Sequence, residues 1–246
     1  MTRLGWLGAI LLLLPGAALA GPPQECLVAQ HQVERTFPLP HVEQAIAAKK
    51  LAILVIGSGS SILPGRGGAG DAYPARLQQA LTELLPGVTV AVTTDVKPHR
   101  TAVEAVTVLK SALAAAKPNL VVWQTGTVDA IQAVDPDAFS DALAQGIALG
   151  RAAGADVVLV NAQYSPRTES MIALTTYGED MRWVALQHEV PLFNRFDIMR
   201  VWAELGTFDF TDASNKIEMA KRVHNCIGWL LADLITAKPP SNEGGR

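Results

Sequence analysis

The stretch Leu51-Ala-Ile-Leu-Val-Ile-Gly57 carries no polar side chain and runs straight into Ser58-Gly59-Ser60-Ser61. A short unbroken apolar run stopped by a turn is the pattern of a strand covered on both faces, and such strands belong to parallel sheets. The rest of the chain repeats the theme. Candidate strands at 88–93, 119–124, 155–162 and 190–193 alternate with helical stretches at 71–85, 101–116, 137–153, 172–189 and 197–205, and a closing helix covers 217–236. Pro86-Gly87, Pro118 and Gly154 punctuate the joins. This alternation predicts a three-layer α/β/α sandwich around a five-stranded parallel sheet of flavodoxin-like order. With 246 residues, 49% of them hydrophobic, the chain can bury one sizeable core and is short for two.

Before the first strand the composition changes twice. Residues 1–20 read as a signal peptide, with Arg3 at a positive start, an apolar run from Leu4 to Leu14, and a small-residue cleavage site at Ala18-Leu19-Ala20. The apolar run is short for a membrane span and is broken by Pro15-Gly16. Cleavage is expected after Ala20, giving a periplasmic or secreted protein with no membrane span. Residues 21–50 form an N-terminal arm with a short helix at 41–50, residues 51–237 form the domain, and 238–246 are a disordered tail. An oxidising compartment favours pairing Cys26 with Cys226, a bridge worth about 4–5 kcal/mol in the chain-entropy picture; two separate thiols are the alternative. The net charge of -3 offers no polyanion footprint, so nucleic acid is not an expected partner.

In a parallel sheet the ligand end is the carboxyl rim of the strands. Four segments reach it: Gly57 to Ser61, the loop near 94–100, Gly126 to Asp129, and the approach to the last helix around Asp212. These segments, with Tyr73-Pro-Ala-Arg-Leu77, Pro118-Asn-Leu-Val-Val-Trp-Gln-Thr-Gly126-Thr127, Gly154-Ala-Asp-Val-Val-Leu-Val and Phe193-Asn-Arg-Phe-Asp-Ile-Met199, resemble the SGNH (GDSL-type) hydrolase superfamily and its exported esterase- and deacetylase-like members. The resemblance covers most of the chain after residue 20. It implies acyl transfer by a serine, a histidine base and an orienting aspartate, with glycine and asparagine donors to the oxyanion.

At each catalytic block this sequence departs from that pattern. Gly-Asp-Ser becomes Gly57-Ser58-Gly59, with Ser60 one place late. The second block has no glycine near 95–98. Gly-x-Asn-Asp becomes Gly126-Thr127-Val128-Asp129, and Asp-x-x-His becomes Asp212-Ala213-Ser214-Asn215. Two readings follow. In one, ester hydrolysis is lost or strongly reduced, and the cleft binds a glycan, an acylated small molecule or an envelope protein. In the other, Ser60 or Ser58 works with His99 and an aspartate such as Asp212 as an active esterase or carbohydrate O-deacetylase. Against the second, Ser58 and Ser60 are ordinary turn formers, and His99 sits on a polar loop beside Lys97 and Arg100. His224 shares helical spacing with Ile217, Ala220, Ile227, Leu231 and Leu234, which reads as a packed core position. Asp212 and Asp129 then keep structural roles, Asp212 as a helix cap. Gly65-Arg-Gly-Gly-Ala-Gly70 spells a dinucleotide fingerprint, but it begins well after the strand ends, so it reads as a flexible loop. The histidines are scattered, and no metal or cofactor is expected.

Overall fold

The computed structural model describes residues 21–166, 174–212 and 214–238. The predicted leader, and the predicted tail beyond Lys238, lie outside the described residues. Five strands, β1 (Lys50–Gly57), β2 (Thr89–Val96), β3 (Leu120–Gln124), β4 (Asp156–Val160) and β5 (Leu192–Phe193), form one sheet in the order β2-β1-β3-β4-β5, with every pair parallel. The helices are α1 (Pro40–Ala47), α2 (Gly68–Asp71), α3 (Tyr73–Leu84), α4 (Ala102–Ala116), α5 (Thr127–Ile131), α6 (Pro136–Ala152), α7 (Leu174–Gln187), α8 (Arg195–Glu204) and α9 (Lys216–Thr236).

Alternation along the central strand divides the core. Leu51, Ile53 and Val55 pack with Leu77 and Leu81 of α3 and with Ile227 and Leu231 of α9. Leu54 and Ile56 pack on the opposite face with Leu109 of α4, Leu143 and Ile147 of α6, and Met181 of α7. The three-layer sandwich expected from the sequence is therefore present. Its strand order reverses direction between β1 and β3, which makes the carboxyl ends of those two strands the crevice where such sheets bind ligands.

Local chemistry sets the element ends. Thr101 and Glu104 form a reciprocal capping box at the start of α4. Asp135 caps α6 by accepting the Ala138 N–H, with Pro136 in the first turn. The helix expected over 71–85 is α3 and begins at Tyr73, because Ala72 is extended (φ -72°, ψ 152°), and Pro74 sits in the first turn, where a missing N–H costs nothing. The helix expected to run to Lys50 stops at Ala47, and Lys50 opens β1. Five-residue α5 is too short to leave a periodic signal.

Cys26 and Cys226 are bonded. The segment before β1 contributes Cys26, Leu39 and Val42 to the core face that holds α3 and α9. It is also pinned by Asp156 at the amino end of β4, whose carboxylate accepts the Val42 N–H and meets His41 Nδ1, both at 2.9 Å. Among the described residues no helix is long and apolar enough to cross a membrane.

Candidate functional site

At the crevice, Gly57 ends β1 and the chain makes a single 3-10 turn over Gly59–Ser61. The turn folds back tightly enough that a Cβ on Gly57 would lie 2.5 Å from Ser61 Oγ, so any side chain here would displace the Ser61 hydroxyl from Gln124. Gln124, at the end of β3, supplies the anchor. Its Oε1 accepts from the Ser58 N–H (3.2 Å), Ser58 Oγ (3.1 Å) and Ser61 Oγ (2.9 Å). Ser61 has one hydroxyl proton and spends it on Gln124, so its 3.0 Å contact with Tyr73 is a bond donated by the tyrosine. Burial holds the Tyr73 phenol above its ordinary pKa, so it is a neutral donor. The Tyr73 N–H donates to His224 Nδ1 at 2.9 Å. Burial, and secondarily the nearby Arg195 charge, push His224 down to about 3. The imidazole is therefore neutral with its proton on Nε2, and its basic nitrogen is already committed.

Ser60 faces a different neighbour. Arg195, the first residue of α8, is only 2% exposed and reaches the Ser60 carbonyl and Ser60 Oγ through Nη1, both at 3.3 Å. Its Nη2 donates to Gln163 Oε1 on the loop after β4, and its Nε has no partner among the described residues. Burial lowers the guanidinium to about 10, which leaves it charged at neutral pH.

Asp129 is fully buried and ties the turn after β3 to the start of α4. It accepts from the Ala102 N–H at the start of α4 (2.7 Å), from Thr125 Oγ1 (2.8 Å) and from the Gly126 N–H (2.9 Å). Gly126 lies at φ 98°, a conformation that side-chain-bearing residues rarely adopt.

The structure brings some of the sequence-derived candidates together and separates others. Ser58, Gly59 and Ser60 share the turn. At Gly59 a Cβ would come no closer than 3.8 Å to Pro98 Cα, so this position, the expected nucleophile position, has room for a side chain beside the loop after β2. Val128 is buried in α5. Asp212 and Asn215 line a separate groove with Phe208, Met219 and Arg222. Asp212 does not cap α9: its Oδ1 accepts from Ser214 N–H and Oγ in a tight turn, and Asn215 occupies the cap position without a side-chain bond. His99 is exposed, with left-handed backbone (φ 62°), and its carbonyl accepts from Gln132 Nε2. No hydrogen bond joins a turn serine to a histidine among the described residues. No group of three or more His, Cys, Asp or Glu placed to hold a metal occurs among them either. Sequence reasoning missed Gln124, Ser61 and Arg195 as site residues. The signal for two of them was available, a polar residue ending an apolar strand and a lone arginine between Asn194 and Phe196.

A parallel α/β/α sandwich with a serine-rich turn after strand one, at the β1/β3 crevice, defines an SGNH hydrolase-like protein. Among solved structures, it resembles the acetylxylan esterase Axe2 from Geobacillus stearothermophilus at 15% identity, with 76% of this chain and 95% of that one covered and a TM-score of 0.62. It resembles TesA at 22% identity, covering 74% and 98%, with a TM-score of 0.56. LAE5, an α/β hydrolase enzyme from the metagenome of Lake Arreo in Spain, is 15% identical over 74% and 96%, with a TM-score of 0.57. At these identities the likeness is one of fold. Residues 25–238 match the non-GDSL lipase-like family, and the chain belongs to that family. No curated protein matches it in sequence.

Proposed function

We propose that this protein is an exported, non-hydrolytic member of its family that keeps the rim as a ligand-binding cleft. The observation that carries the reading is the fate of the turn serines. Ser58 and Ser61 give their protons to an amide, and Ser60 accepts from a guanidinium. Neither arrangement supplies the base that an attacking hydroxyl needs. Matched to the SGNH pattern, the nucleophile, base and oxyanion-amide positions fall on Gly59, Asn215 and Val128, and losing one oxyanion donor alone costs about 10²–10³ in rate. The leader at 1–20, cleaved after Ala20, and the Cys26–Cys226 bond together support a periplasmic or secreted location. The ligand is a glycan or an acylated small molecule. The likeness of fold to Axe2, named an acetylxylan esterase, supports a glycan.

The test is labelling of the purified protein with a fluorophosphonate serine probe, beside a Ser60→Ala control and with folding verified by circular dichroism. No labelling is expected. Labelling that disappears in the control establishes Ser60 as a working nucleophile and replaces this reading with that of an esterase having a rebuilt turn.

A further inference from the structure

The Arg195 guanidinium is buried, and among the described residues it has no counter-ion. The titratable groups whose charges couple to it are Tyr73 and His224, and both are neutral at pH 7. A guanidinium offers five N–H donors. Among the described residues three contacts are made, all to neutral oxygens, two of them long at 3.3 Å, and Nε has none. Ser60 adds a donor. Its Oγ accepts from Arg195, while its own proton finds no acceptor among the described residues. Ser60 and Gln163 are both partly exposed, so this donor pair opens to the rim through the loops after β1 and β4. Gln163 fills with a neutral carbonyl oxygen the place on Nη2 that an anionic oxygen would hold more strongly.

We infer that Ser60 and Arg195 form a binding pair for a carboxylate-bearing ligand, one carboxylate oxygen taking the Ser60 proton and the other displacing Gln163 from Arg195. The inference rests on the reading of the rim as a binding cleft and names the class of ligand it takes. A single planar fork beside a single hydroxyl matches a monoanion. A phosphate dianion calls for a second cation, and Arg100, the other largely buried arginine of the rim loops, is already paired with Asp95.

The experiment is thermal denaturation and calorimetric titration with sodium acetate and sodium butyrate. Sodium chloride at equal ionic strength, acetamide as the neutral isostere, and sodium phosphate are the comparisons. The carboxylates are expected to raise the melting temperature saturably, chloride and acetamide not at all, and phosphate at least tenfold less effectively. Ser60→Ala is expected to weaken carboxylate binding about tenfold. Arg195→Gln abolishes it, and Gln163→Leu strengthens it by removing the competing amide. Should Arg195→Gln fail to fold, the opposed shifts in Ser60→Ala and Gln163→Leu decide the matter. The inference is overturned by a wild-type protein that gives no saturable carboxylate effect, by Ser60→Ala and Gln163→Leu binding like wild type, or by tighter binding of phosphate. Fluorophosphonate labelling fails independently: a labelled protein sinks the non-hydrolytic reading, whereas an unlabelled protein indifferent to carboxylates sinks only the pair.

Discussion

His224 and Arg195 are buried bases that feel one another, and each leaves a signature in stability against pH. The His224 value drops from 6.5 to about 3 on folding. Between those values the unfolded chain binds a proton that the folded one refuses. The contribution is therefore fully present above pH 6.5 and is lost as the pH falls toward 3. The whole effect is on the order of 5 kcal/mol, about 1.4 kcal/mol per pH unit within the window. His224→Gln keeps an acceptor for the Tyr73 N–H and removes the titration. The expected result is a variant whose unfolding free energy, followed by urea denaturation from pH 7 to pH 4.5, falls less steeply than that of wild type by about 1 kcal/mol per unit. Parallel curves for the two proteins would show that the imidazole is not held neutral by the fold. Arg195 works in the opposite range. Its charge costs stability at every pH below about 10, because burial removes the guanidinium from water.

At the scale of elements, α9 approaches α3 so closely that Gly228 is a condition of the packing. A Cβ there would lie 2.6 Å from Arg76 Cβ and 2.8 Å from the backbone at Arg76 and Leu77, and backbone cannot swing aside. Gly228→Ala is expected to destabilise by about 3 kcal/mol, read as a lowered urea midpoint. Gly59→Ser, at a position with room for a Cβ, is expected to cost under about 1 kcal/mol. The contrast locates what the sequence could and could not reveal. The buried run 51–57 and the capped helices carry periodic or chemical signatures that depend only on neighbours in the chain, so the order of elements and the three layers were legible. Also legible from the chain alone were the departures from the SGNH pattern at Gly59, Val128 and Asn215, since a motif is local. The partners of the turn were not. Gln124 meets Ser58 across 66 positions, and Arg195 meets Ser60 across 135. Such contacts arise from sheet register and from the placement of α8, which no local pattern encodes. Asp212 misled for a related reason, because an aspartate before a helix looks the same whether it caps the helix or closes a turn with Ser214.

Over the whole molecule, the bond between Cys26 and Cys226 closes nearly the full chain, with a sequence separation of 200. Its weight falls on the unfolded state, whose freedom it limits by about 4–5 kcal/mol. In the folded state the same segment is held by more than the bond. Leu39 and Val42 sit in the core, Asp156 holds the Val42 amide, and Arg222 pairs with Glu25 beside the cysteine. Replacing both cysteines by serine should therefore leave β1, β3 and β4 formed while lowering global stability by up to about 4–5 kcal/mol. The comparison has to be made on free energies rather than midpoints. An uncrosslinked chain exposes more surface when unfolded, so the urea slope rises as the midpoint falls. Amide exchange separates the local effect from the global one: residues 21–38 should lose protection in the double variant well before the central strands do. A loss below about 1 kcal/mol, or central strands that lose protection together with the arm, would show that the bridge acts on the folded packing rather than on the freedom of the unfolded chain.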